Sequence, residues 1–96
     1  MRFEWDDDKP EANRKKHGVS FEEATVLFTG PADYLEIYDE EHSDEEDRFI
    51  AVGRIACGVI VVSYSEPESD VTRFISARMA TKKERQRLEQ FERGLG

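Results

Sequence analysis

Two short runs of cationic and titratable side chains could serve phosphate chemistry. Lys16 and His17 are adjacent, while Arg73 and Arg78 enclose Phe-Ile-Ser-Ala in the C-terminal third of the chain. A histidine exchanges protons near neutral pH, so His17 is a candidate general acid or base. Arginine forks bind phosphate oxygens through paired hydrogen bonds, and lysine adds a point charge. Together these groups could polarise a phosphodiester and stabilise the charge of its transition state.

Both runs also have a structural explanation. Lys16 and His17 precede Gly18, a residue that commonly ends a helix, and cations at that end complement the helix dipole. Arg73 and Arg78 could instead pair with surface carboxylates. They are five positions apart, and in a regular strand this spacing places two side chains on opposite faces. The two arginines can therefore share a site only if a bulge or the strand end reorients Arg78.

The N-terminal elements are predicted by local patterns. Alternation over residues 2–5 predicts a short strand, and the following helix is expected to end at Lys16 or His17. Ser20 and Glu23 form a capping-box pattern, which begins a second helix over Phe21–Phe28.

Strand patterns dominate the rest of the chain until a last helix. Thr81 and Glu84 form a second capping box before that helix, whose apolar positions are Leu88 and Phe91. The last three strands should form an antiparallel meander with Val59–Val62 at its centre. The predicted strands are Tyr34–Tyr38, Arg48–Ala56, Gly58–Ser65 and Val71–Met79. This order predicts an α+β fold and a single domain over residues 1–96, with helices packed on one sheet.

The charge of the chain is unevenly distributed. The net charge is −8, yet residues 36–47 hold eight acids and no Lys or Arg, while residues 71–96 hold seven bases and three acids. Phosphate binding needs cationic surface, so the C-terminal quarter is the better candidate for nucleic acid. The acidic run does not fit a calcium loop, because Asp44 replaces the required Gly and Ile50 the final Glu. It is predicted to be a solvated loop.

Composition excludes several other classes. No apolar run approaches the ~20 residues that cross a bilayer, and the N-terminus lacks a secretory pattern. The single Cys57 cannot form an internal disulfide, which fits a reducing cytoplasm. No nucleophile elbow and no glycine-rich phosphate loop is present. We therefore expect a cytoplasmic protein without a metal or cofactor.

Taken together, these segments resemble the BrnT toxin family over roughly residues 2–88. The order and spacing of the matched blocks are more specific than any one block alone. The resemblance rests on Phe3-x-Trp5-Asp6, Lys9, Asn13, Lys16-His17-Gly18, Phe21, Ala24, Phe28, Asp39, His42, Glu46, Arg48, Gly53, Val61-Val62-x-Tyr64, Arg73-Phe74-Ile75-Ser76-Ala77-Arg78 and the stretch from Ala80 to Glu84. One departure is Leu88, which stands where the family often has Tyr.

The resemblance implies a RelE-like ribonuclease fold and metal-independent RNA cleavage that stops translation. It also implies inhibition by a ribbon-helix-helix antitoxin, with operator DNA bound only through that antitoxin. In this scheme His17 is the acid or base, while Lys16, Arg73 and Arg78 stabilise charge. The acidic loop should lie away from the RNA path, at or beside the antitoxin surface. The residues expected to hold the RNA backbone are Lys9, Lys82, Lys83, Arg85 and Arg87.

Two alternatives stay open at this point. The acidic net charge and the lack of a metal-site pattern favour a non-catalytic module that binds another protein. A regulator that binds nucleic acid directly is less well supported, because no compact basic recognition helix is present.

Overall fold

The structure is a computed structural model that describes residues 2–6, 10–44 and 46–95. Its order of strands and helices is the predicted one, with a single 3₁₀ turn (Glu40–His42) added in the acidic loop. The elements are β1 (Arg2–Glu4), α1 (Pro10–His17), α2 (Phe21–Thr29), β2 (Leu35–Tyr38), β3 (Arg48–Ile55), β4 (Gly58–Glu68), β5 (Val71–Met79) and α3 (Lys82–Leu95).

The five strands form one mixed sheet in the order β1-β5-β4-β3-β2. Strands β2 to β5 pair antiparallel in chain order, whereas β1 pairs parallel with β5. This confirms the α+β class and the meander with β4 at its centre. The parallel partner of β1 was not predicted, because a three-residue alternation does not specify which edge of a sheet it joins.

The helix ends follow the predicted signals. Gly18 has φ +75° and ends α1, its N–H donating to the carbonyl of Arg14. In the first capping box the Glu23 amide donates to Ser20 Oγ at 3.0 Å, and Glu23 Oε1 accepts from the Ser20 amide. The second box before α3 is formed in the same way, with the Thr81 amide donating to the acidic side chain three residues later at 2.8 Å.

The two hairpin turns of the meander differ from the prediction. The β3–β4 hairpin turns at Ala56–Cys57, one residue earlier than expected, and Gly58 opens β4 with φ +132°. Strand β4 continues through Pro67 to Glu68, whereas the sequence predicted that it ends at Ser65. The ladder accommodates the proline because the pairing with β5 is irregular between Ser65 and Glu68.

One face of the sheet is covered by α2 and holds the larger core. This core is aromatic, with Trp5 stacked parallel to Phe74 at 5.9 Å between ring centroids. Helix α2 approaches the sheet closely over Gly53, where a Cβ atom would overlap the side chain of Leu27. A glycine is therefore required at this point of β3 for α2 to pack.

The opposite face is covered in part by α3. Leu88 is fully buried there against Val52, Val59 and Val61, with Phe91 packed beside them. The helices thus lie on both faces of the sheet, where the sequence had predicted only that they pack on it. Within the described ranges, no helix is both long and apolar enough to cross a lipid bilayer.

Candidate active site

A bulge in β5 places Arg73 and Arg78 on the same face of the sheet. The pairing with β4 runs from Ser63 opposite Ser76 to Tyr64 opposite Phe74, so Ile75 is an extra residue. Arg78 then lies opposite Val61 and Arg73 opposite Ser65, and these two β4 residues are four positions apart. The condition that the sequence set for a shared site is met. We call this surface, which bears Arg48, Ser65, Arg73 and Arg78, the arginine face.

Both arginines already have carboxylate partners within the chain. Arg73 contacts Glu4 Oε1 through Nε at 2.8 Å and through Nη2 at 2.6 Å. Arg78 donates from both terminal nitrogens to Glu84, each at 2.7 Å. These bonds from Arg78 lower the pKa of Glu84 to about 2. The salt-bridge alternative is thus realised at both positions, and either arginine must share or exchange its partner to bind a phosphate.

Two further polar residues of the arginine face were not identified as site residues from the sequence. Arg48 and Ser65 lie directly opposite each other on β3 and β4. In the described part of the chain, Arg48 Nε and Ser65 Oγ are buried without a hydrogen-bond partner. Leaving a buried polar atom unpaired costs about 1–3 kcal/mol, so such atoms merit a functional explanation. The sequence placed Arg48 at the start of a strand and within the family resemblance but gave it no role in the site.

Two clefts meet at Arg48. One, of about 540 Å³, is lined by Arg48 and Arg73 together with Trp5 and the carboxylates of Glu4, Asp6 and Glu46. The other, of about 570 Å³, is lined by Arg48 and side chains of the acidic loop. The arginine face therefore continues into the loop without a break.

The second cleft is lined by His42, which is paired with Asp39. His42 Nδ1 donates to Asp39 Oδ2 at 2.9 Å, which fixes the ring and leaves Nε2 for another partner. The His42 side chain is 61% exposed, so a substrate could reach it. A histidine oriented by a carboxylate beside an arginine is an arrangement suited to proton transfer at a phosphate ester. The sequence did not mark this pair as a candidate site because it lies within a run explained by solvation.

The predicted Lys16–His17 pair lies on the other side of the sheet. Helix α1 contacts β5 and α2, and α2 packs on the face opposite the arginines. His17 is half-buried at the end of α1, and Lys16 is exposed. The structure thus brings Arg73 and Arg78 to one face but does not bring His17 and Lys16 to it.

The predicted RNA-holding cations are distributed on the outside of the molecule. Lys82, Lys83, Arg85 and Arg87 are all exposed on α3, where Arg85 also donates to the carbonyl of Ala80 at 3.0 Å. Lys9 lies outside the described residues. The α3 cations therefore form a basic margin beside the arginine face.

The acidic loop lies closer to the arginine face than the sequence led us to expect. It was predicted to lie away from the RNA path, but Glu46 lines the same cleft as Arg73. Among the described side chains, no three His, Cys, Asp or Glu residues are grouped so that they could hold a metal ion.

The fold and the arginine face define a small α+β protein whose sheet presents guanidinium groups suited to phosphate esters. The profile of the BrnT toxins, described as the ribonuclease toxin of type II toxin–antitoxin systems, matches residues 5–84. The chain therefore belongs to the BrnT family of ribonuclease toxins.

A solved structure agrees with this assignment. The chain is similar to the crystal structure of the Brucella abortus ribonuclease toxin BrnT, with a TM-score of 0.62 and 24% sequence identity. The alignment covers 85% of this chain and 99% of that one, which establishes a common fold. A comparison with curated proteins gave no significant match.

Proposed function

We propose that this protein is a cytoplasmic toxin that cleaves RNA without a metal ion, stops translation, and is held inactive by an antitoxin. The observation that carries the proposal is the match to the ribonuclease toxin family over residues 5–84. The arginine face supports it, because phosphodiester cleavage needs fixed positive charge near the reacting phosphorus.

The reaction is an attack of the RNA 2′-hydroxyl on the adjacent phosphorus. The 2′-oxygen forms a bond to phosphorus as the bond to the 5′-oxygen breaks, leaving a cyclic phosphate and a free 5′-hydroxyl. A base takes the proton of the 2′-hydroxyl, and an acid gives one to the leaving 5′-oxygen. Because DNA lacks the 2′-hydroxyl, it is not cut.

Arg73 and Arg78 supply the charge in this scheme. Arg73 contacts one oxygen of Glu4 through Nε and Nη2, and Arg78 gives both terminal nitrogens to Glu84, so each guanidinium shares or exchanges its carboxylate when it binds a phosphate. His42, oriented by Asp39, is the acid or base that the geometry favours, because it shares a cleft with Arg48.

The residues selected from the sequence give an alternative assignment for proton transfer. In it His17 moves the proton and Lys16 adds charge, so the RNA would have to reach the α1 side of the sheet. The backbone of the RNA is held by cations outside the reacting centre, namely Lys9, Lys82, Lys83, Arg85 and Arg87.

The antitoxin is proposed to be a ribbon-helix-helix protein that binds operator DNA and carries the toxin with it. The acidic loop at the edge of the arginine face would attract a basic partner. A partner seated there would also cover the cleft that Glu46 shares with Arg73. Binding and inhibition would then follow from the same contact.

The test is induction of the protein without its antitoxin. We expect growth arrest and fragmented cellular RNA, and we expect the purified protein to cleave RNA at an undiminished rate in a chelator of divalent metals. Mass spectrometry of the fragments should find cyclic phosphate ends. Intact RNA in both settings, with normal growth, would favour a non-catalytic interaction module instead.

A further inference from the structure

Three side chains form a row across the open end of the arginine face. Arg48 lies opposite Ser65 on β3 and β4, and Ser65 lies opposite Arg73 on β4 and β5. Neighbouring strands are ~4.8 Å apart, so the two arginines stand about 10 Å apart at their backbones with the serine between them. Both arginines line the same cleft of about 540 Å³.

The row is only partly engaged by the rest of the protein. Arg73 gives Nε and Nη2 to a single oxygen of Glu4. Arg48 has no carboxylate within ion-pair distance among the residues that the structure describes. Ser65 is 1% exposed, and its hydroxyl is buried without a partner, as is Nε of Arg48 at the opposite position on β3. A hydrogen bond from Arg48 Nε–H to Ser65 Oγ would satisfy both atoms.

An aromatic ring completes the cleft. Trp5 is half-buried on its wall, with one side of its ring stacked on Phe74. Arginines beside an exposed part of an aromatic ring are the pattern by which proteins bind single-stranded nucleic acid, with phosphate on the cations and a base on the ring. This ring favours RNA over an acidic peptide as the occupant of the cleft.

We propose that Arg48 and Arg73 form a subsite for a backbone phosphate of single-stranded RNA, with Ser65 as the positioning residue for Arg48. The proposal rests on the proposed function and adds the place where the substrate strand is held. Arg48 presents its two terminal nitrogens as a fork to the phosphate, and its Nε–H donates to Ser65. Arg48 acts in binding, Arg73 is shared between this subsite and the reacting centre, and proton transfer takes place at other residues.

The test measures binding and cleavage separately on the full chain. Binding is measured by fluorescence anisotropy with a short 2′-O-methyl oligoribonucleotide, which cannot be cleaved, over a series of salt concentrations. Arg48→Gln should weaken binding about tenfold or more and lower the slope of log affinity against log salt by about one. With cleavable RNA the same variant should raise KM and change kcat less than about twofold.

A matched control is available on the same strand and face. Arg54 is exposed and pairs with Glu92 at the other end of β3, so Arg54→Gln makes the same charge change outside the row. We expect it to bind the oligonucleotide within about twofold of the parent protein. Arg48→Lys keeps the charge without the fork and should bind several-fold more weakly than the parent protein. It replaces Arg48→Gln in the test if that variant fails to fold.

Ser65→Ala tests the positioning role. It should weaken binding several-fold in the parent protein and have no further effect in the Arg48→Lys background, since the lysine has no Nε–H to be held. An equal loss in both backgrounds would show that Ser65 acts without Arg48 and would overturn its assigned role.

Other results separate this proposal from the proposed function. If RNA is cleaved normally and Arg48→Gln binds as well as the Arg54→Gln control, the subsite is wrong and the ribonuclease activity stands. If the oligonucleotide binds through Arg48 but no RNA is ever cleaved, the subsite stands and the activity is wrong. If Arg48→Gln weakens only antitoxin binding, the row recognises protein carboxylates and the subsite is overturned.

Discussion

At the scale of single residues, the arginines of the proposed site also hold other elements of the fold. Arg73 and Arg78 each hold a carboxylate of another element, Glu4 of β1 and Glu84 of α3. Exposed pairs of this kind contribute little to stability, typically below about 1 kcal/mol. Their geometric effect is larger, because each guanidinium is held over the sheet before substrate arrives.

The two histidines can be distinguished by mutation. His42→Ala should lower the rate of RNA cleavage by about 10²-fold, the usual scale for loss of a general acid or base, while His17→Ala lowers it less than about fivefold. Asp39→Asn should lower the rate by about tenfold, because it removes the carboxylate that orients His42. The measurement is kcat on a short RNA, with circular dichroism as the control for folding.

The opposite ranking of the two histidine variants would contradict the assignment of His42 as the acid or base. If His17→Ala loses the activity while remaining folded and His42→Ala does not, proton transfer belongs to the α1 side with Lys16. An unfolded His17→Ala would instead identify His17 as a structural residue at the end of α1.

How much of the site could be predicted follows from the range of the interactions involved. Lys16 and His17 were placed correctly at a helix end, because Gly18 is a local signal. The common face of Arg73 and Arg78 could not be predicted, because it depends on one extra residue, Ile75, in the pairing of β5 with β4. The pairing of Arg48 with Ser65 depends on the register between two strands, which short-range sequence patterns do not specify.

At the scale of elements, helix α3 is attached to the sheet by apolar and polar contacts together. The Leu88 side chain of α3 is fully buried between the helix and the sheet, so it packs in the core and cannot stack on RNA. The family's frequent Tyr thus has no counterpart here. At the start of α3, Glu84 combines the capping box with both bonds from Arg78.

The bond between Glu84 and Arg78 predicts a pH-dependent stability. The folded-state pKa of Glu84 is about 2, below its ordinary value of 4.5, so its ionised form stabilises the fold above about pH 4.5. That contribution is lost as the pH falls from there toward 2. Glu84→Gln keeps a capping side chain but not the charge, and should lower the free energy of unfolding by about 1–2 kcal/mol at pH 7, a value reduced for the partial exposure of Arg78.

The measurement is urea unfolding of both proteins between pH 7 and pH 2. The difference between them should shrink through this range and be close to zero at its lower end. Glu92→Gln, which removes the exposed pair with Arg54, is the control and should change the free energy of unfolding less. A difference that persists unchanged at pH 2 would mean that the loss arises from the cap and not from the ion pair.

The element scale is also where sequence reasoning succeeded most. Both capping boxes, the end of α1 and the central position of Val59–Val62 follow from local chemistry or from periodicity, and all are present in the fold. The parallel pairing of β1 and the division of the helices between two faces follow from contacts between distant segments. No short-range pattern encodes those contacts.

At the scale of the whole molecule, charge divides the surface into two parts that meet at one cleft. Cations lie on α3 and on the arginine face, and the acidic loop borders that face through Glu46. The fields of these opposite charges partly cancel at a distance from the surface. Salt screens what remains, since the Debye length is only ~8 Å at physiological salt. The cations of the row are therefore expected to act at contact distance, and in the proposed subsite the loop would limit the RNA path on one side.

The outer part of the acidic loop is predicted to guide the antitoxin to this place. Glu40, Glu41 and Asp44 are exposed there, and a cluster of carboxylates accelerates association with a basic partner. Replacing all three by their amides should slow association with the antitoxin, most strongly at low salt, and leave dissociation nearly unchanged. RNA cleavage should be unchanged or slightly faster, because local repulsion of phosphate is reduced. Stopped-flow or surface-binding kinetics over a salt series give the rates.

A control with the same change in net charge separates local guidance from a general effect of acidity. Glu66, Glu68 and Asp70 are exposed at the β4–β5 turn, outside the acidic loop, and their amides also remove three negative charges. If both triple variants slow association equally, only the total charge matters. If neither does, the loop has no part in antitoxin recognition and serves solubility alone. A loss confined to the loop variant would place the antitoxin on the edge of the arginine face, where its binding would also cover the cleft proposed to hold RNA.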